Sequence, residues 1–110
     1  MNHKSLKCYQ LAMSIAKAMP GLIAKWPRGY NYLSDQLKRA LASIVLNIAE
    51  GNARTSVLER RRFFTISMAS ASEVSSIIEL ANAYQLINKS EHEHLQDILL
   101  QVYKMLYKLQ

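Results

Sequence analysis

The feature that most constrains this chain is a run of ten residues, from Ala40 to Ala49, that contains no charged side chain. A helix on a protein surface normally has one polar side, so a helix built from this run must be covered on most of its circumference. The run is too short to cross a bilayer, because a spanning helix needs about 20 apolar residues. It therefore predicts the central helix of a bundle or a helix at an interface between copies of the chain.

The composition favours an all-α fold. Glycine and proline number only three and two among 110 residues, and no stretch alternates apolar and polar residues between turn residues. Half of the residues are hydrophobic, so residues 1–110 are expected to form one domain around one core. Cys8 has no partner for an internal disulfide, and the first residues lack the pattern of a signal peptide, so the expected location is a reducing cytoplasm.

The first helix is predicted to run from about Lys4 to Lys25. Pro20 removes one backbone hydrogen bond and crowds the carbonyl group four residues before it, so the helix either kinks there or stops at Met19. The helical spacing of apolar residues continues beyond Pro20, which favours the kink.

Three further helices follow from the same spacing of apolar residues. The second is predicted to begin near Tyr32 or Leu33 and to be closed by Gly51 in a left-handed conformation. The third is predicted to span about Val57–Leu86, and the fourth to begin with Ser90 as its N-cap. Four helices with short connections predict an antiparallel up-down-up-down four-helix bundle.

The second and third helices carry more apolar residues than a helix of an isolated four-helix bundle needs. Such a helix needs about three apolar residues in seven, and both of these helices have uncharged middles. The surplus predicts self-association into a cyclic ring through a face formed by the second and third helices.

The net charge of +6 is unevenly distributed along the chain. Residues 1–62 contain 11 Lys and Arg against 3 acids, and residues 63–110 contain 3 against 5. This asymmetry favours a polyanionic partner, such as RNA or DNA, contacted by the first half of the chain. The alternative is that the basic balance only keeps a small protein in solution.

The stretch QLKRALASIVLNIAEGNAR, residues 36–54, closely resembles the signature of the four-helix bundle proteins encoded in intervening sequences of bacterial 23S ribosomal RNA genes. The likeness extends to the start of the third helix and to a Gly-Ser-x-x-Glu element, in which Ala69 replaces the glycine. The matching residues are Gln36, Lys38, Arg39, Ala40, Ser43, Ile44, Asn47, Ile48, Ala49, Glu50, Gly51, Arg54, Glu59, Arg62, Phe63, Ser70 and Glu73.

This resemblance implies a four-helix bundle that assembles as a homopentamer and has no established enzymatic activity. The architecture is also similar to that of the accessory proteins of diversity-generating retroelements, which are basic pentamers that bind nucleic acid and a reverse transcriptase. The implied partners are therefore other copies of the chain, RNA or DNA, and either ribosomal RNA or a reverse transcriptase. A protein-interaction scaffold that does not bind nucleic acid is the alternative.

Arg60 and Arg61 are the first candidates for contacts to phosphates. Successive residues on a helix diverge by about 100°, so Arg60, Arg61 and Arg62 cannot all face one ligand. Further cations are candidates for extending the same surface, and a merely solvated basic face is the alternative. These further candidates are Lys25, Arg28, Lys38, Arg39 and Arg54.

A second group of polar residues is predicted to have an architectural role in a structural polar core. Arg62 lies at the edge of the apolar spacing of the third helix, where it is expected to pair with Glu50 or Glu73. Asn47 occupies an apolar position of the second helix, and a buried amide there would set the register of the helices or the order of the oligomer. Glu50 belongs with Asn47 in this role, and Ser70 and Glu73 are expected to act in the same way.

The sequence contains no convincing catalytic or metal-binding pattern. His92 and His94 are two residues apart and so lie on different faces of a helix, unlike a zinc pair spaced by four. Cys8 has no predicted base beside it. The chain is therefore expected to be a non-enzymatic protein without cofactor, metal, small-molecule substrate or membrane association.

Overall fold

The computed structural model describes residues 2–110 and consists of four antiparallel helices. They are α1 (His3–Ile23), α2 (Asn31–Ala53), α3 (Val57–Ala83) and α4 (Lys89–Leu109), and a 3₁₀ turn at Arg28–Tyr30 precedes α2. Each helix packs against the next one along the chain, and α4 returns to α1, in a bundle of 44 × 23 × 19 Å. Residues 2–110 contain no strand, so the predicted all-α four-helix bundle is confirmed.

The core is built from the apolar faces that the four helices turn toward one another. On α4, the helical spacing predicts a stripe that contains Leu95, Leu99, Val102 and Leu106, and all four are buried. On α2 the buried residues occupy more than one stripe. The largest buried side chains are Phe64, Ile15, Leu33, Leu37, Ile44, Ile48, Ile78 and Leu106.

Helix α1 continues through Pro20 to Ile23, as the helical spacing of apolar residues beyond Pro20 favours, and does not stop at Met19. The start of α4 differs from the sequence prediction for a local reason. Helix α4 begins at Lys89, because the N-cap is Asn88 and not Ser90. The Asn88 side chain accepts from the backbone N–H of Glu91 at 2.7 Å, and the Glu91 carboxylate accepts from the backbone N–H of Asn88 at 2.9 Å. This reciprocal pair satisfies two backbone donors that the first turn of a helix leaves open.

Helix α3 ends at Ala83, three residues before its predicted end. Gln85 then adopts a left-handed conformation with φ of 61°, and the backbone N–H of Leu86 donates to the carbonyl oxygen of Ala81. This arrangement closes the helix in the way that a glycine normally does.

Gly51 lies inside α2 and does not close it, contrary to the sequence prediction. The reason for a glycine at this position is a close approach of α3. A Cβ atom at residue 51 would lie 2.6 and 2.8 Å from two ring carbons of Phe64, which is itself buried. The absent side chain therefore sets how closely α2 and α3 can pack.

Residues 2–110 include no helix with the length and apolarity needed to cross a membrane.

Two Gly→Ala substitutions are expected to change the free energy of unfolding in opposite directions. Gly51→Ala should lower it by about 1 kcal/mol, because the clash with Phe64 exceeds the gain in helix propensity. Gly21→Ala is the matched control, because a Cβ at that position of α1 meets no atom within 4 Å. It should raise the free energy by up to about 1 kcal/mol. Urea unfolding at one protein concentration measures both, and equal effects would contradict the close approach.

Gln85→Gly should stabilise the fold by about 0.5–1 kcal/mol, because glycine adopts the left-handed conformation without steric cost. Gln85→Ala keeps a Cβ atom in the same conformation and should bring no such gain. Thermal or urea unfolding distinguishes the two variants, and a lower midpoint for the glycine variant would refute this account of the α3 terminus.

Candidate functional site

Most polar residues of the 36–54 stretch lie side by side on an exposed face formed by α2 and α3. Within this face, Gln36 Nε2 donates to Glu73 Oε2 at 3.3 Å, and the hydroxyl groups of Ser43 and Ser70 are 2.7 Å apart. Helical spacing brings the remaining members onto the same side of each helix. The α2/α3 face consists of Gln36, Arg39, Ser43, Leu46, Asn47 and Glu50 on α2, Arg54 directly after α2, and Glu59, Arg62, Ile66, Ser70 and Glu73 on α3.

Near the end of α2, the α2/α3 face contains an ion pair between Arg54 and Glu50. Their Nη2 and Oε2 atoms are 2.9 Å apart, and both side chains are about half exposed. The guanidinium carbon of Arg54 also lies 4.9 Å from the centre of the Phe63 ring. An exposed pair of this kind contributes little to stability, typically below about 1 kcal/mol, so its main effect is to orient the two side chains.

The structural polar core that the sequence predicts is only partly present in the single chain. Ser70 is buried, and Asn47 is half-buried and donates to the Ser43 carbonyl oxygen at 2.8 Å. Glu50, Arg62 and Glu73 are exposed, and Arg62 pairs with neither carboxylate within residues 2–110. These three residues lie at the outer margin of the α2/α3 pair, and neither α1 nor α4 covers this margin.

Large apolar side chains interrupt the α2/α3 face. Leu46 is 62% exposed and Ile66 is 40% exposed, at neighbouring positions on the two helices. The apolar spacing of α3 predicts a buried seam that contains Phe63, Ile66 and Val74, but in this part of the helix Phe64, Ser67 and Met68 are buried instead of Phe63 and Ile66. The face therefore combines apolar side chains with charges of both signs, which is the composition of a protein–protein interface.

Most of the net positive charge lies at one end of the bundle. At this basic end, the chain termini meet the connection between α2 and α3. If each helix is divided at its middle residue, this half contains eight of the fourteen Lys and Arg residues but only two of the eight acids. The cations are Lys4, Lys7, Arg54, Arg60, Arg61, Arg62, Lys104 and Lys108, and the acids are Glu50 and Glu59.

A polar cleft of about 180 Å³ opens at the basic end, between the ends of all four helices. It is lined by Asn2, Ser5, Asn52, Arg60, Phe64 and Leu109. Arg60 Nη2 donates to the carbonyl oxygen of Arg54 at 3.3 Å, which holds one guanidinium against the α2–α3 connection. Arg61 and Arg62 are exposed, so the three consecutive arginines do have different surroundings.

The other predicted phosphate contacts do not share this surface. Lys25 and Arg28 lie beyond the opposite end of α2, whose 23 residues span about 35 Å. Lys25 pairs there with Glu91 at 3.5 Å. Lys38 lies at the groove between α1 and α2, and Arg39 belongs to the α2/α3 face. The single chain therefore does not bring all seven of these residues onto one continuous basic surface, because the bundle separates them.

The groups that could support chemistry are isolated from one another. Burial raises the pKa of the Cys8 thiol to about 11, and its sulfur faces the carbonyl oxygen of Val102 at 3.9 Å, so the reactive thiolate is disfavoured at neutral pH. His92 Nε2 lies 3.0 Å from Glu79 Oε1. Within residues 2–110, no three His, Cys, Asp or Glu side chains form a group that could hold a metal ion.

A protein of unknown function from the S23 ribosomal protein family of Bacteroides thetaiotaomicron has a crystal structure with the same fold. The two chains superpose with a TM-score of 0.85 and 20% sequence identity over 96% of each chain. Among curated proteins, none matches this chain. Neither this crystal structure nor the matching family is described as an enzyme.

The family model described as 23S rRNA-intervening sequence protein matches residues 4–108, which is nearly the whole chain. The match includes the exposed α2/α3 face and the arginines of the basic end. The chain therefore belongs to the 23S rRNA-intervening sequence protein family.

Proposed function

We propose that this protein is a non-enzymatic, cytoplasmic accessory protein that assembles into a ring and binds RNA or DNA through backbone phosphates. The observation that carries the proposal is the position of the net charge. The half of the bundle at the basic end contains eight cations and two acids, whereas the other half contains equal numbers of each. A phosphate backbone is the partner that such a concentrated positive surface attracts.

The arrangement suits contacts to phosphates better than the reading of bases. The cations come from α1, α3 and α4 and from the connection between α2 and α3, and no single helix presents a row of them that would fit a groove. Contacts of this kind position a nucleic acid without selecting its sequence. We therefore propose sequence-tolerant binding.

Self-association strengthens the proposal, because a ring repeats each patch of charge. A rotation axis parallel to the helices would place the basic ends of all copies on one rim. The ring order that we propose is the pentamer implied by the resemblance, and the exposed apolar residues Leu46 and Ile66 support burial of the α2/α3 face within it. The proposed nucleic acid is ribosomal RNA, or an RNA held together with a reverse transcriptase.

A salt titration provides the first test. Binding of a fluorescent RNA or DNA of mixed sequence should weaken steeply between about 50 and 200 mM salt, because each phosphate contact adds nearly one unit to the logarithmic slope. Absence of binding, or binding that is independent of salt, would favour the protein scaffold and contradict the proposal.

Charge reversals at the two ends of the bundle provide the second test. Arg60→Glu plus Arg61→Glu should reduce the salt slope by about two and weaken binding by about tenfold or more at low salt. Because Arg60 contacts the α2–α3 connection, Arg61→Glu plus Lys108→Glu is a companion variant that changes exposed side chains only.

The matched control is Lys17→Glu plus Arg28→Glu, which makes the same change in net charge with exposed residues of the neutral half. It should weaken binding less than either pair at the basic end. Equal losses for all three variants would mean that only net charge matters and would remove the basic end as the site. Mass measurement of each variant separates loss of binding from loss of assembly.

A further inference from the structure

Two arginines of the α2/α3 face lack the partners that their neighbours have. Among residues 2–110, neither Arg39 nor Arg62 lies within 4 Å of a carboxylate. On the same face, Glu73 contacts only the amide of Gln36, and Glu50 contacts Arg54. Among residues 2–110, the face therefore presents two arginines that form no ion pair.

The contacts between α2 and α3 fix which of these charges lie at the same height along the bundle. Gln36 is opposite Glu73, Ser43 is opposite Ser70, and Arg54 lies over Phe63. Because the helices are antiparallel, Arg39 lies near the height of Glu73. In the same way, Glu50 lies near the height of Arg62. Each of these two levels therefore has one cation and one anion, on different helices.

The order of the charges is reversed between the two levels. Near Glu73 the cation is on α2, and near Glu50 the cation is on α3. Between the levels lie the exposed side chains of Leu46 and Ile66 and the small pair Ser43 and Ser70. An apolar centre bordered by charges of alternating sign is complementary to a second copy of itself and unsuited to a uniformly negative polymer.

We propose that α2 of one copy packs beside α3 of the next copy, so that Arg39 pairs with Glu73 of the neighbouring copy and Glu50 pairs with Arg62 of the neighbouring copy. This inference rests on the self-association in the proposed function and identifies the surface and the charges that produce it. Rotation about an axis parallel to the helices preserves height, so the same two pairs repeat at every contact of a closed ring.

A two-fold axis perpendicular to the helices would produce different pairs. In that antiparallel dimer, Arg39 would meet Glu50 of the partner copy, and Arg62 would meet Glu73. The two arrangements use the same face but predict different charge exchanges, so charge-swap variants distinguish them.

Sedimentation velocity on the full chain at about 0.1 M salt tests the proposal. Arg39→Glu should raise the apparent dissociation constant of the assembly about tenfold or more, because it places like charges opposite each other. Adding Glu73→Arg to this variant should restore assembly to within about threefold of wild type. Adding Glu50→Arg instead should not restore it.

The second pair of charges repeats the test without the contact between Gln36 and Glu73. Arg62→Glu should also weaken assembly, and Arg62→Glu plus Glu50→Arg should restore it. Arg61→Glu is the matched control, since this neighbouring arginine is exposed outside the α2/α3 face and its reversal should leave the mass unchanged.

Rescue of Arg39→Glu by Glu50→Arg would overturn the proposal in favour of the antiparallel dimer, and an unchanged mass for both single variants would overturn it as well. A monomeric wild-type chain would overturn it together with the proposed ring. Nucleic-acid binding, measured on the same samples, tests the basic end. Its outcome is therefore distinguishable from the outcome for assembly.

Discussion

The structure depends on the close contact between α2 and α3. Gly51 leaves room for the ring of Phe64, and the Ser67 hydroxyl donates to the carbonyl oxygen of Ile44 at 2.8 Å. Small side chains on both helices allow this approach, as close packing of helices requires. The longer polar side chains Glu50 and Glu73 lie exposed at the margin of this pair of helices.

The bundle has two surfaces with different electrostatic character. The α2/α3 face has charges of both signs around apolar side chains, so it suits another protein surface. The basic end has a concentrated positive charge, so it suits phosphate. The bundle topology creates the second surface by bringing Lys4 of α1 and Lys108 of α4 to the same end as Arg60. In the proposed ring, assembly would cover the first surface and repeat the second one.

The sequence predicts the number and type of the helices well, because their apolar spacing is regular. It also predicts the buried stripe of α4, because the apolar residues of that helix are regularly spaced. It misses the role of Gly51, since a glycine near a predicted helix end is usually a cap. The contact with the ring of Phe64 joins two helices, so the residues next to Gly51 in the sequence do not reveal it. Ile66 shows a related limit, because α3 is apolar over much of its surface and periodicity alone does not fix its rotation.

The candidate site is predicted less completely, because it depends on contacts between distant residues. The arginines at 60 and 61 are correctly recognised as a concentrated positive charge, but the lysines near the two chain termini join them only in the folded bundle. Lys25 and Arg28 belong to the first half of the sequence, as most of the other cations do. The length of α2 nevertheless places them at the end of the bundle opposite the basic end. Arg62 is expected to pair with Glu50 or Glu73, whereas neither carboxylate lies within 4 Å of its guanidinium in the single chain.

The most direct test of the central claim is carbodiimide labelling of carboxylates in the native protein, read out by mass spectrometry. In the single chain, the side chains of Glu50 and Glu93 are 53% and 64% exposed, so an unassembled protein should label both readily. The account predicts that Glu50 and Glu73 are protected at micromolar concentration while Glu93 is labelled, and that dilution below the assembly threshold removes the protection. Equal labelling of all three carboxylates at every concentration would contradict it.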